Sequence, residues 1–292
     1  MPAKAKTVKK QQKALVAIGD AHGDYHAFAA VLIDAGLMDA ELNWTGGKTT
    51  LVQMGDILDR GQAPLQIDGL LDMLGAQAKK AGGRIVRLVG NHELEILRKN
   101  YFITSLPYFQ IEPFRYKLIK GILSGAWQAA YGARGFLFTH AGVCDFLFTA
   151  LKQEINKPAP TITAYSAHIN KVFKEAVKTG SYRHPIFNVS YIRGGSDQFG
   201  GIFWEDLSSL FANHQLCTFK QIVGHTAIPE VLMAPDERVI AIDVGMKKVF
   251  LGQFEYLNVK TGGKIKTVKL TGGEPVPPAK KRAPRLKTEA GK

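Results

Sequence analysis

The chain has 292 residues, 46% of them hydrophobic, and a formal net charge of +13. It is long enough to bury a core without staples, and its two cysteines, Cys144 and Cys217, are too few for a disulfide framework and lack the setting of a zinc site. Residues 1–13 hold five lysines and no acid, and residues 274–292 hold six basic residues and two acids. The excess charge therefore lies mostly in ends that we expect to be disordered, which argues against a nucleic-acid-binding body.

No apolar run reaches the ~18 residues needed to span a bilayer, and the basic start lacks the apolar stretch of a signal peptide. A reduced, cytoplasmic location is the expectation. Along the chain, the run Ala14 to Ile18 predicts a buried strand that ends in Gly19-Asp20-Ala21-His22-Gly23-Asp24. A helix follows, with Phe28, Val31, Leu32 and Ala35 on one face and Gly36 as its stop. Asp24 reads either as its N-cap or as a partner of His22. Thr50 to Met54 predicts a second strand that ends in Gly55-Asp56-Ile57-Leu58-Asp59-Arg60-Gly61, and a helix is expected from Pro64 to Lys80. Arg84 to Val89 predicts a third strand, followed by Gly90-Asn91-His92-Glu93, with helix resuming at Leu94. Three strand–loop–helix units in a row predict parallel strands with helical crossovers.

Residues 99–134 read as a helical insert beside the site, its aromatics Tyr101, Phe102, Tyr108, Phe109, Phe114, Tyr116 and Trp127 expected in the core. Gly135 to Thr139 predicts a strand that ends in His140-Ala141-Gly142, and helices are expected over 143–155 and 163–178. Residues 181–203 are irregular, and a short helix is expected from Glu205 to Asn213. Phe219 to Val223 leads into Gly224-His225-Thr226. The remainder reads as strands: Val231 to Ala234, Arg238 to Ile242, and a hairpin of Val249 to Lys260 with Lys264 to Leu270 across Gly262-Gly263. The ordered domain is expected over 14–272, between tails 1–13 and 273–292.

The strand-end groups Asp20, His22, Asp56, Asn91, His92, His140 and His225 form a mixed oxygen and nitrogen set. Such a set suits manganese, iron or zinc. A carboxylate such as Asp56 can bridge two metal ions, Asp59 could orient an imidazole, and Arg60 offers a planar fork of donors to phosphate.

The series GDAHGD at 19–24, GDILDRG at 55–61, GNHE at 90–93, HAG at 140–142 and GHT at 224–226 closely resembles the calcineurin-like metallophosphoesterases. GNHE in place of GNHD, and DRG after GDIL, resemble their phosphoprotein phosphatase branch, and the GDxHGD form resembles its bacterial, Shewanella-like type. The resemblance implies an α/β fold of two packed mixed β-sheets flanked by helices. It implies two divalent metal ions, manganese first, with iron or zinc as alternatives. Asp20 and His22 would bind the first metal, Asp56 would bridge both, and Asn91, His140 and His225 would complete the second.

The two metals would hold a bridging water and lower its pKa, and the resulting hydroxide would attack phosphorus in line. Arg60 would neutralise phosphoryl oxygens, with Asn91 beside it at the substrate. His92, fixed by Asp59, would protonate the leaving alkoxide. Family members usually carry a second phosphate-binding arginine near a tryptophan, but Trp204 is followed here by Glu205-Asp206. Arg193, between Ile192 and Gly194-Gly195, is the best substitute, its alternative reading being a solvated loop residue. Cys144 lacks the motif of a cysteine phosphatase and reads as core.

The implied function is a metal-dependent serine/threonine protein phosphatase, tyrosine not excluded, with a phosphorylated protein or peptide as partner and no membrane. The alternatives are a nucleotide or dinucleoside polyphosphate hydrolase and, in another class, a non-catalytic nucleic-acid-binding or scaffold protein, motivated by the basic tails.

Overall fold

The first apolar run forms strand β1 (Leu15–Ile18), whose side chains alternate between two apolar clusters: Leu15 and Ala17 enter one, Val16 and Ile18 the other. Both faces of the strand are thus covered, which is why the run is continuously apolar. The structure, a computed structural model, describes residues 14–270. The expected tails 1–13 and 273–292 lie outside the described residues, as do the last two residues of the 14–272 domain.

Helix α1 (Tyr25–Asp34) follows β1, with Asp24 as its N-cap: the carboxylate accepts from the Ala27 N–H at 3.1 Å. Strand β2 (Thr50–Gln53), helix α2 (Pro64–Lys80) and strand β3 (Arg84–Leu88) come next, and β1, β2 and β3 pair in parallel as expected. Proline fits the first position of α2, and Gly82, at φ 78°, adopts the left-handed conformation just past its end. Helix α3 (Asn91–Leu97) begins three residues before the expected Leu94. The Glu93 carboxylate accepts from the Gly90 N–H at 2.8 Å and closes the first turn, so Asn91 and His92 project from a helix N-terminus.

The expected insert is helical only in part. A 3₁₀ turn (Tyr101–Ile103) leads to α4 (Tyr108–Ser124), which Gly125 ends at φ 84°. Beyond it the chain forms β4 (Trp127–Gln128), parallel to β3, and then β5 (Ala130–Ala133), in the other sheet. Nor are all the aromatics core: Phe114 and Trp127 are buried, but Phe102, Tyr108, Phe109 and Tyr116 are exposed. Ile111, Phe114, Leu118 and Ile122 already form the buried face of α4, so Tyr108, Phe109 and Tyr116 fall on the opposite side.

Strand β6 (Phe136–Thr139) pairs antiparallel with β5, and helices α5 (Asp145–Ile155), α6 (Ile162–Thr179) and α7 (Leu207–Ala212) follow. Strand β7 (Lys220–Val223), the short β8 (Leu232–Met233) and β9 (Val239–Ala241) complete this sheet, in the order β5-β6-β7-β9-β8 with β6, β7 and β9 parallel. Residues Met246–Leu251 form a 3₁₀ turn between Gly245 and Gly252, both at positive φ, so the expected strand from Val249 starts only at Glu255. Strands β10 (Glu255–Val259) and β11 (Ile265–Lys269) form the expected hairpin and extend the first sheet, in the order β11-β10-β1-β2-β3-β4.

The two mixed sheets pack face to face. Leu15, Ala17, Val52, Met54, Val86 and Leu88 of the first share one apolar layer with Phe136, Phe138, Ile222, Ile240 and Ile242 of the second. The outward faces join a second apolar cluster with α1 to α7. Among the described residues, no helix is long and apolar enough to cross a membrane.

Candidate metal centre

The loops that leave β1, β2, β3, β6 and β7 meet at one edge of the sandwich, where backbone hydrogen bonds lace them together. The Asp56 carbonyl accepts from the N–H groups of Ala21 (3.1 Å) and His22 (2.8 Å), and the His22 carbonyl from Gly61 (2.8 Å). The His140 carbonyl accepts from Gly224 N–H at 2.8 Å. Glycine is required at the crossings. A Cβ on Gly90 would lie 2.0 Å from Asp56 Oδ1, and one on Gly61 would lie 2.4 Å from the Gly23 carbonyl carbon. His22, Asp56, Asp59, Arg60 and His225 all hold positive φ without being glycine. Such backbone strain costs on the order of 1–3 kcal/mol per residue and gathers at functional sites.

Four side chains converge most tightly. Asn91 Oδ1 lies 2.9 Å from both His140 Nε2 and His225 Nδ1, which are 3.2 Å apart, and Asp56 Oδ2 is 3.5 Å from His140 Nε2. His140 is aimed by its other nitrogen, at 2.9 Å from the Met54 carbonyl. On the far side of Asp56, His22 Nε2 lies 3.6 Å from Asp56 Oδ2 and 4.0 Å from Asp20 Oδ2, and His22 Nδ1 donates to the Leu58 carbonyl at 2.9 Å. Asp20 Oδ2 also accepts from the His225 N–H at 3.0 Å, which ties the first strand end to the fifth motif.

This donor set fits divalent cations. His22 Nε2 and Asp20 Oδ1 are buried without a hydrogen-bond partner, and the cluster around Asn91 crowds lone pairs that a cation would satisfy. Burial pushes His22 down to about 4, which leaves a neutral imidazole fit to ligate. Burial, then the charges of Asp243 and Asp56, raise Asp20 well above the usual carboxylate range. Burial opposes ionisation of Asp56 too, but His140, His92 and His22 hold it well below that range.

His92 stands beside this cluster. Its Nδ1 lies 2.6 Å from Asp59 Oδ2. The other oxygen, Asp59 Oδ1, accepts from Ser105 N–H (2.6 Å), Thr104 Oγ1 (2.9 Å) and Ser105 Oγ (3.1 Å). Against its burial, the charge of Asp56 and the hydrogen bond and charge of Asp59 push His92 up to about 9. Both carboxylates thus favour the protonated imidazole.

Arg60 is exposed on the rim. A cleft of about 580 Å³ opens beside it and His22, walled by Ala227, Ile228, Pro229, Val244 and Met246, with Lys247 at its edge. A larger surface cavity of about 650 Å³, between Phe148, Lys152 and Leu216, holds none of the converging groups. Arg193 is half-buried at the end of a 3₁₀ turn (Tyr191–Arg193). Its Nε pairs with Asp206 Oδ2 at 2.9 Å, and its Nη2 donates to the Thr226 hydroxyl, next to His225. The residue that stands where an arginine was sought after Trp204-Glu205 is therefore the one that holds Arg193, and the Trp204 ring meets the His225 ring edge-on at 5.6 Å. Arg183 lines a separate surface cavity. Cys144 is buried in the core, its thiol pushed up to about 12 by burial and by Glu205.

Sequence reasoning missed two buried acids. The Glu93 carboxylate accepts from four backbone N–H groups, those of Gly90 (2.8 Å), Asp56 (2.9 Å), Ile57 (3.0 Å) and Leu58 (3.2 Å), and so moulds the loop that carries Asp56 and Asp59. Asp243 follows β9 as the other polar groups follow their strands. The pattern of an apolar run, a polar residue and a nearby glycine would have found it.

Comparison with known proteins identifies the family and the fold. Residues 14–229 match the family model of the calcineurin-like phosphoesterases. The chain is 44% identical over 100 residues to Shewanella-like protein phosphatase 2 of Arabidopsis thaliana, a match that covers 33% of this chain and 26% of that protein. It thus spans about a quarter of that relative's length. Among solved structures, the cold-active protein-tyrosine phosphatase of a psychrophilic Shewanella superposes with a TM-score of 0.60 at 21% identity, covering 88% of this chain and 81% of that one. A protein serine/threonine phosphatase of Saccharomyces cerevisiae superposes with a TM-score of 0.54 at 12% identity, covering 91% and 84%. At these identities, the two structures speak to the fold.

Proposed function

Because the chain belongs to the calcineurin-like phosphoesterase family, we propose that it is a metal-dependent phosphomonoester hydrolase that acts on phosphoserine and phosphothreonine in proteins, with phosphotyrosine as a further substrate. Asp20, His22 and Asp56 would hold one divalent cation, and Asp56, Asn91, His140 and His225 a second. Manganese suits this mixed oxygen and nitrogen set, with iron or zinc as alternatives. When bound, the cations supply positive charge for the phosphoryl oxygens and make the attacking water more acidic.

The chain's own residues do the rest. Arg60 reaches from the rim with a planar fork of donors that matches two phosphoryl oxygens. Arg193, steadied by Asp206 and Thr226, would meet the phosphate from the His225 side, with the Asn91 amide as a further contact. His92 carries the proton that the leaving alkoxide needs. Asp59 keeps that imidazole charged and aimed by holding Nδ1, while Thr104 and Ser105 keep Asp59 in place. The cleft beside Arg60 takes the peptide next to the phosphorylated side chain. The free, buried thiols suit a reducing compartment, and we place the protein in the cytoplasm.

The observation that carries this reading is the His92–Asp59 pair at 2.6 Å, beside the convergence of Asp56, Asn91, His140 and His225. The test strips the protein with a chelator, restores Mn²⁺, and compares phosphoserine, phosphothreonine and phosphotyrosine peptides with nucleotides and a dinucleoside tetraphosphate. Metal-dependent release of phosphate from the peptides is expected. Turnover of the dinucleotide alone would move the assignment to a small-molecule hydrolase. No turnover with any of these metals, together with salt-dependent binding to DNA, would make the protein a non-catalytic binder.

A further inference from the structure

Asp243 is 1% exposed and follows β9 at the same edge of the sandwich as the five motif loops. Its backbone packs on the residue before Asp20: a Cβ on Gly19 would lie 3.1 Å from Asp243 Cα. Its carbonyl accepts from the Ile228 N–H at 2.9 Å, which joins it to the loop that carries His225. Oδ1 accepts from the Gly245 N–H at 3.1 Å, whereas Oδ2 is buried with no partner. The neighbouring Asp20 likewise leaves Oδ1 buried without a hydrogen bond, 3.9 Å from His140 Nδ1.

The charged groups around Asp243 are the carboxylates of Asp20 and Asp56, the imidazole of His140 and the guanidinium of Arg60. Asp20, Asp56 and Asp243 are three buried carboxylates whose charges act on one another, on strand ends at one edge of the sandwich. Buried charges persist where they are paired or hold a metal. His140 gives its Nδ1 proton to the Met54 carbonyl and turns Nε2 towards Asn91 and the proposed second cation site, and Arg60 is exposed. The proposed donors are also unequal in number, four for the second cation and three for the first.

We propose that Asp243 is a further anionic donor of the first cation site, where its unpartnered Oδ2 serves the ion held by Asp20, His22 and Asp56, directly or through one water. This rests on the two-metal reading above. Asp243 is a positioning residue if a water intervenes and a ligand if none does. In both cases its charge sets the affinity of one site.

Asp243→Asn separates this role from a structural one, because the amide oxygen still accepts from Gly245 N–H and the backbone bond to Ile228 is untouched. The full chain, stripped of metal, is titrated calorimetrically with Mn²⁺ and melted without it. In the parent, two Mn²⁺ ions bind per chain. In Asp243→Asn, one site weakens about 10–100-fold, as loss of a supporting partner does, while the other stays within about twofold. The melting temperature of the metal-free variant rises, because a buried unpaired anion is gone. Asp243→Ser, which carries a hydroxyl in place of the carboxylate, gives the same weakening and serves if the asparagine variant does not fold.

Two sites of parental affinity in either variant would overturn the proposal. So would weakened binding accompanied by a lower metal-free melting temperature, which would mean a damaged fold. A parent chain that binds no Mn²⁺, Fe²⁺ or Zn²⁺ would instead sink the two-metal reading itself.

Discussion

Replacing Asp59 with Asn should turn His92 from a charged acid into a neutral imidazole over part of the working pH range. The geometry fixes how the new amide sits. Three donors face Asp59 Oδ1, namely Ser105 N–H, Ser105 Oγ and Thr104 Oγ1, so the amide oxygen must take that side. Its NH₂ then faces His92 Nδ1, where the carboxylate stood at 2.6 Å. An NH₂ donates, so Nδ1 must accept and the imidazolium loses its partner. A charge-assisted hydrogen bond is worth about 1.5–3 kcal/mol, or about one to two pK units. His92 stands at about 9 while Asp56 carries a free charge; cations on Asp56 would offset part of that push, and loss of the Asp59 bond should lower His92 further by about one to two pK units.

The sign follows from the raised value: the acid form exists below the His92 pKa and is lost as pH rises through it. The basic limb of turnover of a phosphoserine peptide at saturation should therefore move about one to two pH units lower than in the parent, with a drop of about tenfold on that limb and a change within about twofold on its acidic side. An aryl phosphate, whose leaving group needs no proton, should show little change on either side, and metal content should match the parent. A variant whose basic limb and turnover coincide with the parent's on the peptide would refute the assignment of His92 as the acid.

Asp56→Asn should abolish turnover and lower metal content, since one carboxylate faces His22 on one side and His140 on the other. Two metals per chain with near-parental turnover would remove it from the centre. Arg193→Ala should raise KM for phosphopeptide and lower kcat/KM about tenfold or more, on the scale of one charge-assisted contact, while metal content is unchanged. Inhibition by free phosphate should weaken in step, and parental values in both measurements would leave Arg193 as a strut between Asp206 and Thr226. Deletion of residues 1–12 and 275–292 should leave the melting temperature and peptide turnover close to the parent's, because these segments lack core-forming patterns. A large fall in melting temperature would mean that they dock on the domain.

The sequence by itself determined what is local. A run of apolar residues, a polar pair and glycines at fixed spacing marked each strand end, and Pro64 with Gly82-Gly83 bounded α2 correctly at Pro64–Lys80. Asp24 could be read as a cap because an N-cap bonds only three residues ahead. The tertiary structure decided what no window of neighbours contains. His225 meets Asp20 across 205 residues and Arg193 meets Asp206 and Thr226, because two sheets are stacked so that five parallel strand ends share one edge.

The same packing decided the misread parts. Trp127 to Ala133 left the helical insert because partner strands β3 and β6 were there to take their backbone hydrogen bonds. Phe102, Tyr108, Phe109 and Tyr116 stayed outside because other side chains already filled the buried face. Glu93 and Asp243 are single acids in a sequence that has many. Their importance comes from burial, which removes water and leaves a carboxylate only backbone N–H groups or a cation to answer its charge, and burial is a property of the packed fold.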